Sequence, residues 1–345
     1  MDPGASEAHP PGRAPRDRRY RLARIALLGP LLLAIAMGCQ RQPPRLILAV
    51  NPWPGFSYFA LAKAGAHYDS RRLNLDLRIF ADMGGSMQAY VSGRAQAIAT
   101  TTIDVVTICG LAPERCPVIV YVIDESRGAD QLLARKGVQG VEGLVGRPIA
   151  VERGSLAPYL LARAFETKGL PAPSPSQLRF LPASSWAAAL REGRVAAVVS
   201  YPPRSEMLLR SQPLQTLFTS RQLPYEILDV LAVEPEFLHV HPEAVQALVK
   251  GWQKVRAEES QQQATVRQEM ASHLGLGSTM APAMGSGIRY PGLQEQYELL
   301  NPLQNNLPPL LEKIRQVLYA NRVIPANTPL PATVDSIARD LARGE

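Results

Sequence analysis

Between Arg45 and Val233 short apolar runs alternate with helix-like stretches, and this alternation limits the chain to an α/β fold. Leu46–Val50 (LILAV) reads as a first strand, ended by a loop over Asn51-Pro52-Trp53-Pro54-Gly55, with helical content over Tyr58–Ala66. Leu75–Phe80 alternates and reads as a second strand, followed by a loop at Met83-Gly84-Gly85-Ser86 and a helix over Met87–Ser92. Ala97–Thr100 is a third, leading through Thr101-Thr102 to a helix over Asp104–Cys109, and Val118–Ile123 is a fourth. Strands joined through helices form βαβ units, so a largely parallel sheet is expected.

A second unit begins near Asp130. Strands are expected at Leu132–Ala134, Pro148–Val151, Leu178–Leu181 and Val195–Ser200, with helices over Ala157–Lys168 and Trp186–Glu192 closed by Gly169 and Gly193. Ile227–Val233 reads as a strand returning to the first unit. A long helix then runs from Pro242, at the favoured first position, through Arg256. The remainder is mostly helical, interrupted at 274–292 and 322–332, and no repeat of solenoid length occurs.

The amino terminus carries a different signal. Arg16, Arg18, Arg19, Arg21 and Arg24 precede thirteen uncharged residues, 25–37, then Gly38, Cys39 and a polar run. A basic segment, a short apolar segment and a small residue at the cut describe a secretory signal, and the apolar run is short for a bilayer span. Arg18-Arg19 lacks the apolar spacing of a twin-arginine signal. Six arginines against Asp2, Glu7 and Asp17 put +3 of the formal +7 in this leader, leaving +4 for the rest. That balance, with no Lys/Arg-rich run in the body, gives no nucleic-acid footprint.

Ala36-Met37-Gly38-Cys39 resembles a bacterial lipoprotein box, with Ala where the family usually has Leu. The resemblance implies removal of residues 1–38, acylation of Cys39, and a short tether over 39–44. Several acyl chains anchor stably where one binds reversibly. An uncleaved anchor helix, or a plain signal cut with Cys39 a bystander, are the alternatives. Gln40 after the lipid site leans towards an outer membrane where the cell has one.

The body resembles the substrate-binding proteins of ABC importers, in the nitrate/sulfonate/taurine and thiamine-precursor-binding family. The residues that carry this are Asn51 to Phe56, Tyr68 to Leu75, Gln88 to Gly93, Asp124 to Asp130, Gly146 to Val151, Gly154-Ser155, Glu192 to Val199 and Phe237 to Ala244. Their order and spacing cover nearly all of Arg45 to about Val323. The resemblance implies a two-lobed periplasmic-binding-protein-like clamshell (type II) with two interlobe crossings, near Gly128–Leu132 and Glu226–Leu231. One lobe comprises 45–128 and 230–345, the other 129–229. The implied partners are a small-molecule solute, an ABC permease with its ATPase, and the membrane through the lipid. The implied molecule is a monomer on the extracytoplasmic face of the membrane, without cofactor or metal.

In open α/β sheets ligands bind beyond the carboxyl ends of strands, so the strand-to-helix loops are the candidate site. Trp53 and Phe56 offer flat apolar surface, and Gly55 lets a ligand approach the backbone. Gly84-Gly85-Ser86, Thr101-Thr102 and Gly154-Ser155 each sit where a helix starts, where free amides and hydroxyls bind oxyanions. Helix capping alone also accounts for each of these Ser and Thr residues. Asp124 and Asp130 flank Arg127, to hold an amine, to orient the Arg against an anion, or merely to salt-bridge an exposed hinge. Tyr201 ends a strand and could close over the ligand, although Pro202-Pro203-Arg204 stands where relatives often carry an acidic residue. Asp229 falls in the return hinge, as ligand or structural hydrogen-bond partner. A sulfonate- or nitrate-like anion is the first substrate expected and a pyrimidine-type thiamine precursor the second.

Cys109 and Cys116 either close a small loop or remain separate thiols, and nothing nearby completes a zinc site. One enzymatic branch of the fold makes a thiamine pyrimidine using a histidine, a lysine-bound cofactor and iron-ligating cysteines. The histidines here are His9, His67, His239, His241 and His273, none placed among such groups. No nucleophile elbow or phosphate-binding loop is present. A tethered sensor serving a signalling partner is the remaining alternative to import.

Overall fold

The computed structural model describes residues 42–301 and 307–343. The leader, Cys39 and most of the tether lie outside the described residues. In chain order the elements of the first half are β1 (Arg45–Val50), α1 (Pro54–Ala64), β2 (Asn74–Ile79), α2 (Met83–Val91), β3 (Ala97–Thr101), α3 (Thr102–Leu111) and β4 (Val118–Ser126). Then come β5 (Gln131–Arg135), β6 (Ile149–Val151), α4 (Ala157–Glu166), β7 (Leu178–Phe180), α5 (Trp186–Arg191), β8 (Ala197–Ser200), α6 (Arg204–Ser211) and β9 (Leu214–Thr219). The chain continues with β10 (Leu228–Val233), α7 (Pro235–Val240), α8 (Pro242–Gln261), α9 (Gln263–His273), β11 (Ile288–Arg289), α10 (Leu293–Leu300), α11 (Leu307–Ala320) and α12 (Ser336–Arg343).

Two sheets form, in the orders β11-β4-β10-β3-β1-β2 and β7-β6-β8-β5-β9. Their central strands are buried on both faces, which is why LILAV, AIATT and VIVYVI read as continuous apolar runs. The chain leaves the first sheet after Ser126, enters the second at Gln131, and returns between Thr219 and Leu228. These are the two crossings of a clamshell.

The largely parallel sheet expected from the βαβ pattern needs correction. β1 pairs parallel with β2 and β3, and β6 with β7 and β8, but β10 lies antiparallel between β3 and β4. β5 likewise lies antiparallel between β8 and β9. The inserted strands are the two that follow a crossing. Each enters its sheet from the hinge side, at the carboxyl ends of its neighbours, and must run away from it.

Three boundaries also shift. The loop after β1 is shorter than expected, because Pro54 opens α1 at its first position, where a missing N–H costs no hydrogen bond. α2 starts at Met83, not Met87: Asp82 caps it by accepting from the Gly85 amide at 2.8 Å, offsetting the poor helix propensity of Gly84-Gly85. α6 and β9, between Pro203 and the return crossing, were not anticipated. β9 lies at the sheet edge, half-buried, and its LQTLFT lacks a clean alternation.

Hydroxyls and close backbone approach fasten the crossings. Ser126 Oγ and Ser220 Oγ lie 2.8 Å apart, and the Gly128 amide donates to Ser220 Oγ at 2.7 Å. Gly287 packs so tightly here that a Cβ would come within 2.7 Å of the Ala129 nitrogen. Cys109, at the end of α3, is disulfide-bonded to Cys116 before β4, resolving the pair that the sequence left open.

Candidate functional site

The sheet topology brings four chain segments to one point. Asp229, at the entry of β10, is in register with Thr101 at the exit of β3 and with Asp124 on β4. β1 delivers Asn51, Trp53 and, one helical turn on, Phe56. From the other lobe Asp130, Leu156 and Tyr201 face them, with Met83 at the rim. Together they enclose a cavity of about 10 Å3, room for roughly one water-sized group. Trp53 meets Phe56 at 6.4 Å and Tyr201 at 6.2 Å between ring centroids, walling the cavity with aromatic surface from both lobes.

The polar content of this wall is acidic. The Trp53 indole Nε1 donates to Asp124 Oδ2 at 3.0 Å, and Asp124 and Asp229 are hydrogen-bonded neighbours. Burial raises the pKa of both, Asp229 further because the Asp124 charge stands beside it. The pair therefore retains a shared proton. Burial also pushes Asp130 up to about 7, against a hydrogen bond from Ser126. Behind the pocket, Asp104 is pushed by burial up to about 7 although Thr101 and Thr100 each donate to its Oδ2 at 2.8 Å. Asn51 is 2% exposed, and neither its Oδ1 nor its Nδ2 has a hydrogen-bond partner.

A second acidic side chain closes the seam. Glu152 Oε1 accepts from the Met83 amide at 3.1 Å, across the lobes, while Oε2 accepts from the Tyr201 hydroxyl at 2.8 Å. Burial raises the Glu152 pKa, with Arg204 opposing. Arg204 donates to the Tyr201 oxygen at 2.7 Å and to the Ala81 carbonyl. Gly84 sits against this loop, where a Cβ would lie 2.6 Å from the Arg153 carbonyl oxygen.

Of the residues singled out from sequence, Trp53, Phe56, Thr101, Tyr201 and Asp229 line the cavity, with Asp124 directly behind Trp53. Gly55 does not open the backbone to a ligand. It makes room for Asp124, because a Cβ there would overlap Oδ2. Gly85 donates to Asp82, and Ser86 is buried and donates back to the Met83 carbonyl. Thr102 is buried inside α3 with its hydroxyl unpartnered. Gly154 and Ser155 line a separate groove of about 850 Å3 on the flank of the seam, Ser155 donating to the Glu152 carbonyl. Arg127, with half its side chain exposed, lies 3.8 Å from Glu125 and does not sit between Asp124 and Asp130, both of which are buried. Asn51, Asp130 and Glu152 complete the constellation. Asp130 is singled out in the sequence with Asp124 as a candidate holder of an amine, whereas Asn51 is visible there only as a member of a turn and Glu152 only as a residue before Gly154-Ser155.

Four amides at or beside the expected helix starts serve the chain's own oxygens: Met83 serves Glu152, Gly85 serves Asp82, Asp104 serves Thr101, and Ala157 serves Ser155. Among the described residues no Arg or Lys lines the cavity.

Comparison with known proteins places this architecture. The model of the NMT1-like family matches residues 81–275. Among solved structures, the alkanesulfonate-binding protein SsuA of Xanthomonas axonopodis pv. citri, bound to MOPS, superposes with a TM-score of 0.69 at 17% identity, covering 84% of this chain and 97% of that one. The periplasmic aliphatic sulphonate binding protein SsuA of Escherichia coli gives 0.68 at 17% identity, covering 86% and 99%. The desulfurization enzyme DSZB gives 0.59 at 18% identity, covering 87% and 99%, so the fold also carries an enzyme. No curated protein matches in sequence.

Proposed function

The chain belongs to the NMT1-like family, and from that premise we propose that it is the extracytoplasmic solute-binding protein of an ABC importer. Membership and the shared fold bear out the resemblance drawn from the sequence. The solute is captured between the lobes, the lobes close, and the closed form docks on a membrane permease whose ATPase supplies the energy. Trp53, Phe56, Thr101 and Asp229 from one lobe and Tyr201 from the other form the binding wall. Acylated Cys39 tethers the folded body to the membrane surface. Among the described residues no helix is long and apolar enough to cross a membrane.

The observation that carries this reading is the small cavity at the two crossings, built from both lobes and walled by aromatics. A binding protein needs such a wall to change its contacts when the lobes part. Catalysis has less support: the cavity has Thr101 as its one aliphatic hydroxyl, already engaged with Asp104, and the described cysteines are bonded to each other.

Radiolabelled uptake of a panel of sulfonates, nitrate, thiamine precursors and amines, in cells with and without the gene, tests the reading. Loss of energy-dependent uptake of one solute that the purified protein also binds supports it. Unchanged uptake of the whole panel, with chemical turnover of a bound compound, replaces it with an enzyme.

A further inference from the structure

Resting on the solute-binding reading, we infer that the solute is a small protonated amine, bound by its ammonium head between Asp229, Asp130 and Asn51 under the Trp53 and Tyr201 rings, with Asp124 behind them. The argument begins with what is missing from an anion site. A sulfonate or nitrate held in a dry cleft needs convergent donors or a cation. Here the Met83, Gly85, Asp104 and Ala157 amides are engaged within the protein, and the cations nearby are committed. Arg204 serves Tyr201, Glu152 and Ala81, and Arg256 pairs with Glu259 and stacks 3.9 Å over Tyr290. Arg127 stands outside with Glu125.

What is present suits the opposite charge. Three carboxyl groups, Asp124, Asp229 and Asp130, are buried within one small volume with no basic side chain on its wall. Carboxylates alone would be a poor argument, since acids can be buried for structural reasons. Asn51 supplies the independent one: it lines the same cavity with both amide atoms unpartnered, a costly state for a buried polar group. Its Oδ1 accepts from an N–H, and its Nδ2 remains for a carboxylate oxygen freed by the incoming charge. The aromatic faces add attraction for a cation and none for an anion.

Size and geometry agree. About 10 Å3 is room for one small polar head, and the three N–H donors of an ammonium match Asn51 Oδ1 and two carboxylates. The remainder of the solute is admitted as the seam between Met83 and Glu152 parts. A metal ion is the weaker occupant, because among the described residues no group of three His, Cys, Asp or Glu side chains is arranged to hold one.

The test is thermal shift and calorimetric titration of the full-length protein with ethylammonium, tetramethylammonium and ethanesulfonate, against potassium chloride of equal ionic strength. Ethylammonium is expected to give a saturable stabilisation, tetramethylammonium a weaker one for want of N–H donors, and ethanesulfonate none. Asp229→Asn and Asn51→Ala should each weaken ethylammonium at least about tenfold, the loss of a charge-assisted hydrogen bond. Asp229→Asn is nearly isosteric and keeps a hydrogen-bond donor facing Asp124 in place of the shared proton, so it serves as the variant that keeps its fold. Tighter binding of ethanesulfonate or tetramethylammonium than of ethylammonium overturns the inference. So does equal binding of ethylammonium by wild type and both variants. In either case, or if no probe binds while gene deletion still abolishes uptake of another solute, the solute-binding reading stands. With neither binding nor an uptake defect, both fall.

Discussion

At the scale of single residues, the molecule stores unfavourable charge where the lobes meet. Asp104 and Asp130 are held near 7, far above the usual aspartate value of about 4, because burial penalises their ionised forms. The folded state therefore binds protons more tightly than the unfolded chain. This stabilisation is complete below about pH 4 and is lost as pH rises through about 7. Between about pH 5 and pH 8 the melting temperature should fall, and Asp104→Asn should flatten that slope. Asp104 faces Thr100, Thr101 and, at longer range, Glu152 and Asp229, so no neighbouring base reverses the sign. A flat or rising profile for wild type across that window would remove the argument. Gly55 makes a second case. Gly55→Ala puts a methyl group on Asp124 Oδ2, and the carboxylate or α1 must move. A loss of about 1–3 kcal/mol in urea denaturation and a red-shifted Trp53 emission are expected. Gly55 reads in the sequence as a flexible turn, because the partner it must clear lies 69 residues away on another strand.

At the scale of elements, what the sequence revealed depended on how local the cause was. Strands β1, β3, β4 and β10 were legible because burial on both faces leaves continuous apolar runs. Trp53, Thr101, Tyr201 and Asp229, which line the cavity, stand out in the sequence because each lies at or just beyond the cleft end of a buried strand. The use made of the helix starts was not. α2 takes one cap from Asp82, three residues from the amide it serves, but another from Glu152 in the other lobe, and only the first has a local signature. A helix start satisfied by a distant carboxylate looks, in sequence, like one waiting for an anion. α6 and β9 were missed for want of a periodic apolar face. The short link from α3 to β4 yields its own prediction. The Cys109–Cys116 bond closes a separation of 7 residues. Replacing both by Ala should cost about 2–3 kcal/mol on a chain-entropy account, read as a lower urea midpoint. A midpoint unchanged by the double replacement would show that α3 is fixed by packing alone.

At the scale of the whole molecule, the contacts across the seam decide which shape the protein holds. Glu152 reaches the Met83 amide and Arg204 reaches the Ala81 carbonyl, each from one lobe to the other. Glu152→Ala combined with Arg204→Ala should let the lobes separate. Small-angle scattering should then show a larger radius of gyration without loss of secondary structure. An unchanged radius would mean that the remaining contacts, among them Arg210 on the Thr279 carbonyl, Lys313 with Glu226 and the packing of α11 against α4, suffice to hold the lobes together. The tether adds an expectation of its own: Cys39→Ala should release the protein from the membrane fraction. Retention of a processed Cys39→Ala form would remove the lipid-anchor proposal.

The antiparallel strand inserted into each sheet has a consequence for how the chain is made. The second lobe is one continuous stretch, complete once β9 has emerged. The first is not: β3 and β4 are made early, but the strand that joins them, β10, arrives only after the entire second lobe. Until then the first sheet is two fragments with unpaired inner edges, the kind of edge that recruits another chain. The second lobe should therefore acquire its structure first, and the first should stay dependent on a chaperone until Leu228–Val233 slides home.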